Sequence, residues 1–507
     1  MSLSARAGVR GDRNSPGGAL AASPQITAGA GQHAFALSAE DRERLAARLA
    51  LAVRRARRAG GEVLATISLP VAGDVDPSAV VCASRRPGER WFVFEQPDRG
   101  RAALAGLGEA TSLQASGYAR FASVADSWRA LSAAAVADPA DEPAGGGPVA
   151  VGGFAFAPNG GGAPHWRGFE PASLTVPEVA LTRGERGGEL AVRMTLSALA
   201  RPDDVPDELL ARLERRVAEL RRRALPLLDP APTGRFQVAS AMPPEHYEQA
   251  VARATELIGA GKLEKIVLAR EVQVHAPRAY DPAAVFGVLR EEFPSCFVFC
   301  VGRGDSTLIA ASPELLVRRE GHRVSTLALA GSTRRSADPA VDAHLGEQLL
   351  RDASYREEHA IVARRIERTL RPHAIWVTAA PEPELVRIAN IQHLATPIRA
   401  QLAAPMEALE LAGLMHPTPA VGGEPLASAA PLIPALEGLD RGWYTGPVGW
   451  ADATGDGEFC VALRCALLHE NVARCYAGNG IVRDSDPASE LAETEIKLQA
   501  LLPLLAG

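Results

Sequence analysis

Gly446-Pro-Val-Gly-Trp450, then Thr454-Gly-Asp-Gly457 leading into Glu458-Phe-Cys-Val-Ala-Leu-Arg464-Cys-Ala-Leu467, then Ala473-Arg-Cys-Tyr-Ala477, is the stretch that decides the fold. Three apolar, β-prone runs follow one another with only turn residues between them, and 454–457 reads as the turn of a strand pair. A doubly wound fold would place a helix in each gap. Consecutive strands instead pair antiparallel, with helices kept to the flanks, which is the α+β class. The same habit recurs elsewhere. Apolar runs at 62–69, 80–83, 90–94 and 148–156 read as strands. So do 264–275, 296–301, 306–311, 323–329, 375–378 and 385–391. Helical spacing is predicted from Leu37 onward with Ser38 as the cap, and over 206–225, 244–259 and 338–370.

Just beyond that stretch, Gly478-Asn-Gly480 reads as a glycine turn leading into a closing helix. Asp486 is placed to cap it and Pro487 to start it. Glu490, Glu493 and Lys497 stand at i, i+3 and i+7 and share one face. That face runs on into Ala500, Leu501 and Leu504. Carboxylates on a stripe heading into the protein need a partner, either a cation or an oxygen-ligated metal. The plainer alternative is a solvated face, with Leu498 and Leu502 as the core stripe.

The chain has 507 residues, 47% hydrophobic and 22% charged, with a net charge of −6. Such a chain can bury a large core. No basic patch suited to nucleic acid stands out. The arginine runs at 54–58 and 221–223 fall on helix-like stretches and read as solvated faces. None of the six cysteines forms a CxxC pair or zinc spacing, which suits a reducing, cytoplasmic setting. No apolar run is long enough for a membrane span. Residues 1–34, rich in Gly, Ala, Ser and Pro, are expected to form a disordered leader. A linker at 226–234 divides an N-terminal part, 35–235, from a C-terminal part, 236–507.

Six features can carry chemistry. Lys265 lies in an apolar strand on the face of Val267 and Ala269. It is either a base activated by desolvation or a strand-end lysine reaching solvent. Glu314, in Ser312-Pro-Glu314-Leu-Leu316, is either a carboxyl held protonated as a general acid or a turn glutamate. Glu358 points along the apolar stripe of its helix while Glu357 points away. It is either a metal ligand or a salt-bridge partner of Arg365 or Arg351. His393 and His416 are ligands or hydrogen-bonded core residues. Arg464, a charge within an apolar strand, calls for an anion and suits a carboxylate. Gly478 and Gly480 permit close backbone approach to a ligand.

These residues fall within motifs that identify a family. The C-terminal half resembles the chorismate-utilising enzymes, most closely the isochorismate synthases of menaquinone and siderophore pathways. The matching motifs are Lys262-Leu-Glu-Lys265-Ile-Val-Leu-Ala-Arg270, Ser312-Pro-Glu314-Leu-Leu, Leu329-Ala-Gly-Ser-Thr-Arg-Arg335 and Glu358-His359. They continue through Gln392-His393-Leu, His416-Pro-Thr-Pro-Ala-Val421, Arg441-Gly-Trp-Tyr444, Ala462-Leu-Arg464 and the glycine-to-helix stretch, in family order over 240–505. Gly152-Gly-Phe-Ala-Phe-Ala-Pro158 looks like the same family. The resemblance implies two large, mainly antiparallel sheets packed together and flanked by helices. It implies an isomerase in which water attacks C2 of chorismate and the C4 hydroxyl leaves. Lys265 then matches the base and Glu314 the acid. Glu358 and Glu493 match Mg²⁺ ligands, with Glu490 a metal-site carboxylate that acts through water. His393, Tyr444, Arg464, Gly478, Gly480 and Lys497 match positions lining the substrate carboxylates.

The presence of Lys265 places the chain with water-using members rather than the ammonia-using ones, so no amidotransferase subunit is expected. A monomer or weak homodimer acting on a small molecule is expected, with no nucleic-acid or membrane partner. A salicylate synthase, which adds pyruvate elimination, is the alternative. Asn479, between two glycines where small residues are common, is the clearest departure from the family pattern.

Overall fold

The computed structural model describes residues 34–139, 144–186, 188–230 and 232–507. The leader expected over 1–34 lies outside them except for its last residue. Among the described residues the strands form two sheets, of twelve and ten strands, with their ladders antiparallel throughout. The larger sheet starts at Val63–Val71 and reaches Trp91–Gln96, which pairs with Phe297–Arg303. It continues through Ser306–Ser312, Cys465–His469, Val472–Ile481 and Lys265–His275. The smaller includes Arg323–Arg334, Leu315–Glu320, Gly457–Val461, Pro447–Asp452 and Val149–Phe154 in that order. Each sheet thus draws strands from both early and late sequence: Glu95 lies opposite Val298, and Gly153 opposite Val448.

The two sheets meet across an aromatic core. Phe92, Phe94, Phe297 and Phe299 of the larger sheet pack with Val149, Val151 and Val448 of the smaller and with Trp443 beside it. Helices cover the outer faces. Leu45 and Leu49 of the helix Ala39–Ala59 and Leu213 of Pro206–Ala218 seal the larger sheet. Trp128 of Arg120–Ala133, Val362 of Ala353–Leu370 and Leu409 of Ala408–Met415 seal the smaller. Burying large apolar side chains on both faces of each sheet is the main source of stability, at about 25 cal/mol per Å² of apolar surface. Capping follows the sequence. Ser38 accepts from Asp41 N, and Asp486 accepts from Ser489 N with Pro487 beginning the helix.

Five sequence expectations need correction. The run 80–83 is not a strand but part of the helix Pro77–Ser84, capped by Asp76; short runs buried all round carry no period to distinguish the two. The helix predicted over 206–225 ends at Ala218, although Leu220 beyond it stays buried. The helix predicted over 338–370 is two, Pro339–Arg351 and Ala353–Leu370. Asp352 ends the first and caps the second, accepting from Ser354 N and Tyr355 N. The run 458–467 splits between the two sheets, so Arg464 does not lie within a strand. Gly478-Asn-Gly480 is no turn: the strand Val472–Ile481 runs straight through it, and neither glycine has a positive φ.

Candidate active site

Two neighbouring segments cross between the sheets at one place. Ser306–Ser312 of the larger sheet passes through Pro313 and Glu314 into Leu315–Glu320 of the smaller. Gly457–Val461 of the smaller passes through residues 462–464 into Cys465–His469 of the larger. Backbone hydrogen bonds lock the crossings together: Ala311 N donates to Arg464 O at 3.1 Å and Val461 N to Glu314 O at 3.0 Å. Ser312 Oγ adds a bond to Val461 O. Arg464 has φ of 48°, a left-handed conformation that costs a non-glycine residue about 1 kcal/mol. The crossing places both side chains in the gap between the sheets.

A cavity of about 320 Å³ opens there. Glu314, at 3% exposure, forms part of its lining. Burial pushes its carboxyl up to about 8, against the pull of the Lys265 and Arg464 charges, so it is protonated at neutral pH. Arg464 Nη2 lies 3.0 Å from His393 Nε2. Arginine can only donate, so His393 accepts at Nε2 and its Nδ1–H faces Gly331 O at 3.3 Å. Burial and the Arg464 charge hold His393 well below its ordinary value, consistent with this neutral tautomer. Tyr444 also lines the cavity and stacks on Tyr476 with ring centroids 5.1 Å apart.

Lys265 lies just behind the lining. Its side chain is 1% exposed, and Nζ donates to Glu358 Oε1 at 2.8 Å. The salt bridge that the sequence offered to Arg365 or Arg351 is therefore made to Lys265 instead; Arg365 pairs with Glu424 and Arg351 with Glu347. Gly480 is where glycine is required. A Cβ there would strike Glu358 Oε1 and come within 2.8 Å of Lys265 Nζ. At Gly478 a Cβ would stand 3.0 Å from the Tyr444 hydroxyl. Both glycines, lying within a strand, let protein side chains and a neighbouring backbone approach closely.

The closing helix, Pro487–Leu498, presents Glu490, Glu493 and Lys497 to the same cavity. Lys497 Nζ donates to Glu493 Oε1 at 2.8 Å, Asn479 Oδ1 at 2.7 Å and Gly478 O at 3.1 Å. Burial opposes ionisation of Glu493, but the Lys497 charge and the bonds from Lys497 and Ser332 outweigh it and hold its carboxyl low. Glu490 behaves oppositely: burial and then the charge of Glu493 push it up to about 7. The core stripe of this helix is Thr494 and Leu498, so the acid face borders the cavity rather than the core.

The carboxylate set suits a divalent cation in its chemistry. Glu493 and Glu490 repel each other on one helix, and Glu358 lines the same cavity. The phenol of Tyr355 is pushed up to about 12 by burial and by the charges of Glu493, Glu490 and Glu358 together. Among the described residues no three acid, His or Cys side chains are already gathered as a metal cage.

His416 takes no part. Its Nε2 faces Phe156 O at 3.0 Å, and burial lowers it to about 3. Two lining or supporting residues, Ser332 and Tyr355, carried no role in the sequence reading, and a third, Asn479, was read only as altering a hydrogen bond near the substrate. Ser332 lay in a quoted motif, Asn479 stood out as a departure, and Tyr355 gave no signal at all. The described cysteines are free and buried, and no helix among the described residues is long and apolar enough to cross a membrane.

The chain belongs to the chorismate binding enzyme family, whose profile matches residues 51–506. Its relatives there include a salicylate biosynthesis isochorismate synthase of Pseudomonas aeruginosa, 38% identical over 418 residues, covering 82% of this chain and 84% of that one. The isochorismate synthase MenF of Bacillus subtilis is 33% identical over 361 residues, covering 71% and 75%. Among solved structures, MenF, the menaquinone-specific isochorismate synthase from Escherichia coli, superposes with a TM-score of 0.72 at 26% identity, covering 90% of this chain and 100% of that one.

Proposed function

We propose that this protein is an isochorismate synthase, an isomerase converting chorismate to isochorismate. The observation that carries the reading is Glu314, a carboxyl kept protonated to about pH 8 by burial at a cavity whose floor covers a buried lysine. That pairing supplies an acid and a base at one site. Water attacks C2, the ring double bonds shift, and the C4 hydroxyl departs. Lys265 Nζ takes a proton from the attacking water, and Glu314 gives its proton to the departing oxygen, so one water enters and one leaves. To act in this way Lys265 must first release its own ammonium proton to solvent, and with it the ion pair to Glu358. Arg464, steadied by neutral His393, meets a substrate carboxylate with its guanidinium. Tyr444, Gly478 and Gly480 shape the floor. Lys497, its donors taken by Glu493, Asn479 and Gly478, offsets the acid face and draws the substrate carboxylates through its charge.

Glu358 and Glu493, with Glu490 reaching through water, would hold Mg²⁺. That ion would supply positive charge for binding the ring carboxylate. A cytoplasmic enzyme working without an amidotransferase subunit, as a monomer or weak homodimer and without nucleic-acid or membrane partners, fits this chemistry. Product analysis with chorismate and Mg²⁺, with and without EDTA, tests the proposal. Isochorismate that disappears with EDTA is expected. Salicylate and pyruvate as end products would replace the reading with a salicylate synthase. Turnover only with ammonium would overturn the role of Lys265.

A further inference from the structure

Asn479 sits between the two floor glycines and is 2% exposed. Successive residues of a strand face opposite ways. Gly478 and Gly480 therefore leave the floor open, while the Asn479 side chain reaches the closing helix. Its Nδ2 donates to Glu490 O at 2.7 Å and to Glu490 Oε2 at 2.8 Å. Its Oδ1 accepts from Lys497 Nζ at 2.7 Å. The two ends of the amide are not interchangeable, since one end only donates and the other only accepts. Glu490 and Lys497 are seven residues apart, roughly 10 Å along the helix, too far to hold each other. One buried amide ties both to the strand that carries the floor.

We propose that Asn479 is a positioning residue for the reaction. Its amide sets where Glu490 and Lys497 stand against the cavity, and through them the affinity for the cation and for the anionic substrate. Asn479 itself touches neither. The inference rests on the site reading given above for those two residues.

The test is steady-state kinetics over a grid of chorismate and Mg²⁺ concentrations, with Mg²⁺ binding to the resting protein read by calorimetry and circular dichroism to confirm folding. Asn479→Leu keeps the volume and removes all three bonds. Half-saturating Mg²⁺ and the KM for chorismate should each rise about tenfold, with kcat changed by less than about threefold. Asn479→Asp keeps an acceptor for Lys497 and turns the donor toward Glu490 into a repelling oxygen. It should restore KM toward wild type while the Mg²⁺ requirement stays raised, a split that a purely structural role would not produce. If Asn479→Leu does not fold, Asn479→Ala takes its place in the comparison. Both constants within about twofold of wild type in the Leu variant, or Leu and Asp variants alike in both, would overturn the proposal. If EDTA leaves the wild-type enzyme unaffected, the magnesium reading fails. The KM comparison of Leu with Asp still decides the role of Asn479 through Lys497.

Discussion

On the strand side of the cavity, Glu314 and Arg464 are set chiefly by burial. On the helix side, Glu493 is set by Lys497 and Ser332 against burial, while Glu490 is set by burial and then by the charge of Glu493. Glu314 is raised to about 8 because water is excluded from it. Glu493 is held low because Lys497 and Ser332 outweigh the same exclusion. The strand side suits proton transfer, which needs a carboxyl poised near the working pH. On the helix side Glu493, already ionised, suits charge binding, and Glu490 at about 7 stands between the two cases. One cavity thus holds two kinds of acid, and the difference lies in their neighbours rather than in the residue type.

This contrast can be broken by mutation. The largest effect should come from Lys265→Ala, a fall in kcat of about 10³-fold with chorismate binding, read by equilibrium fluorescence, largely kept. Near-wild-type turnover would remove Lys265 as the base. Glu314→Gln should cost about as much in kcat and yet raise the melting temperature at pH 8. The sign follows from linkage. The unfolded chain ionises Glu314 near 4.5 and the folded chain near 8, so the folded state binds more protons between those values. Stability therefore declines as pH rises through that window, and the glutamine removes the decline. A lower melting temperature in the variant at pH 8 would contradict the burial argument.

Smaller effects sharpen the comparison. Glu493→Gln should raise half-saturating Mg²⁺ by about tenfold while leaving the alkaline limb of the pH profile in place, because it acts on charge binding alone. An unchanged metal titration would remove it as a ligand. The mildest effect belongs to the wild-type enzyme. Its kcat should decline as pH rises past about 8, where Glu314 loses its proton. A flat profile to higher pH would separate the acid role from Glu314.

Much of this was legible in the residues. The α+β class followed from strands in succession, and the Glu490, Glu493 and Lys497 face from helical spacing. Glu358 was told apart from Glu357 by its stripe, and the exposed Glu357 agrees. What escaped was the crossing between sheets. Residues 458–467 carry one unbroken β-prone signal, and local propensity cannot report that a chain changes partners midway. Arg464 consequently read as a charge stranded within a strand, when it stands where the strand ends. Gly478-Asn-Gly480 failed for a related reason. Glycine suggests a turn by default, but here it is the neighbours Glu358, Lys265 and Tyr444, distant in sequence, that demand it. The Lys265–Glu358 pair spans 93 positions and could not be seen from either end.

The weaving of early and late strands into the same sheets governs how the protein comes into being. Trp91–Gln96 finds its neighbour Phe297–Arg303 only after some 200 further residues have been made, and Lys265–His275 waits for Val472–Ile481. Neither sheet can close on the ribosome until nearly the whole chain has emerged. Contacts so distant in sequence make folding slow and leave unpaired strand edges open in the meantime. Because the floor glycines belong to one of the last strands to arrive, the site is assembled near the end of that process. A nascent or truncated chain would then meet its cellular folding helpers well before it could meet its substrate.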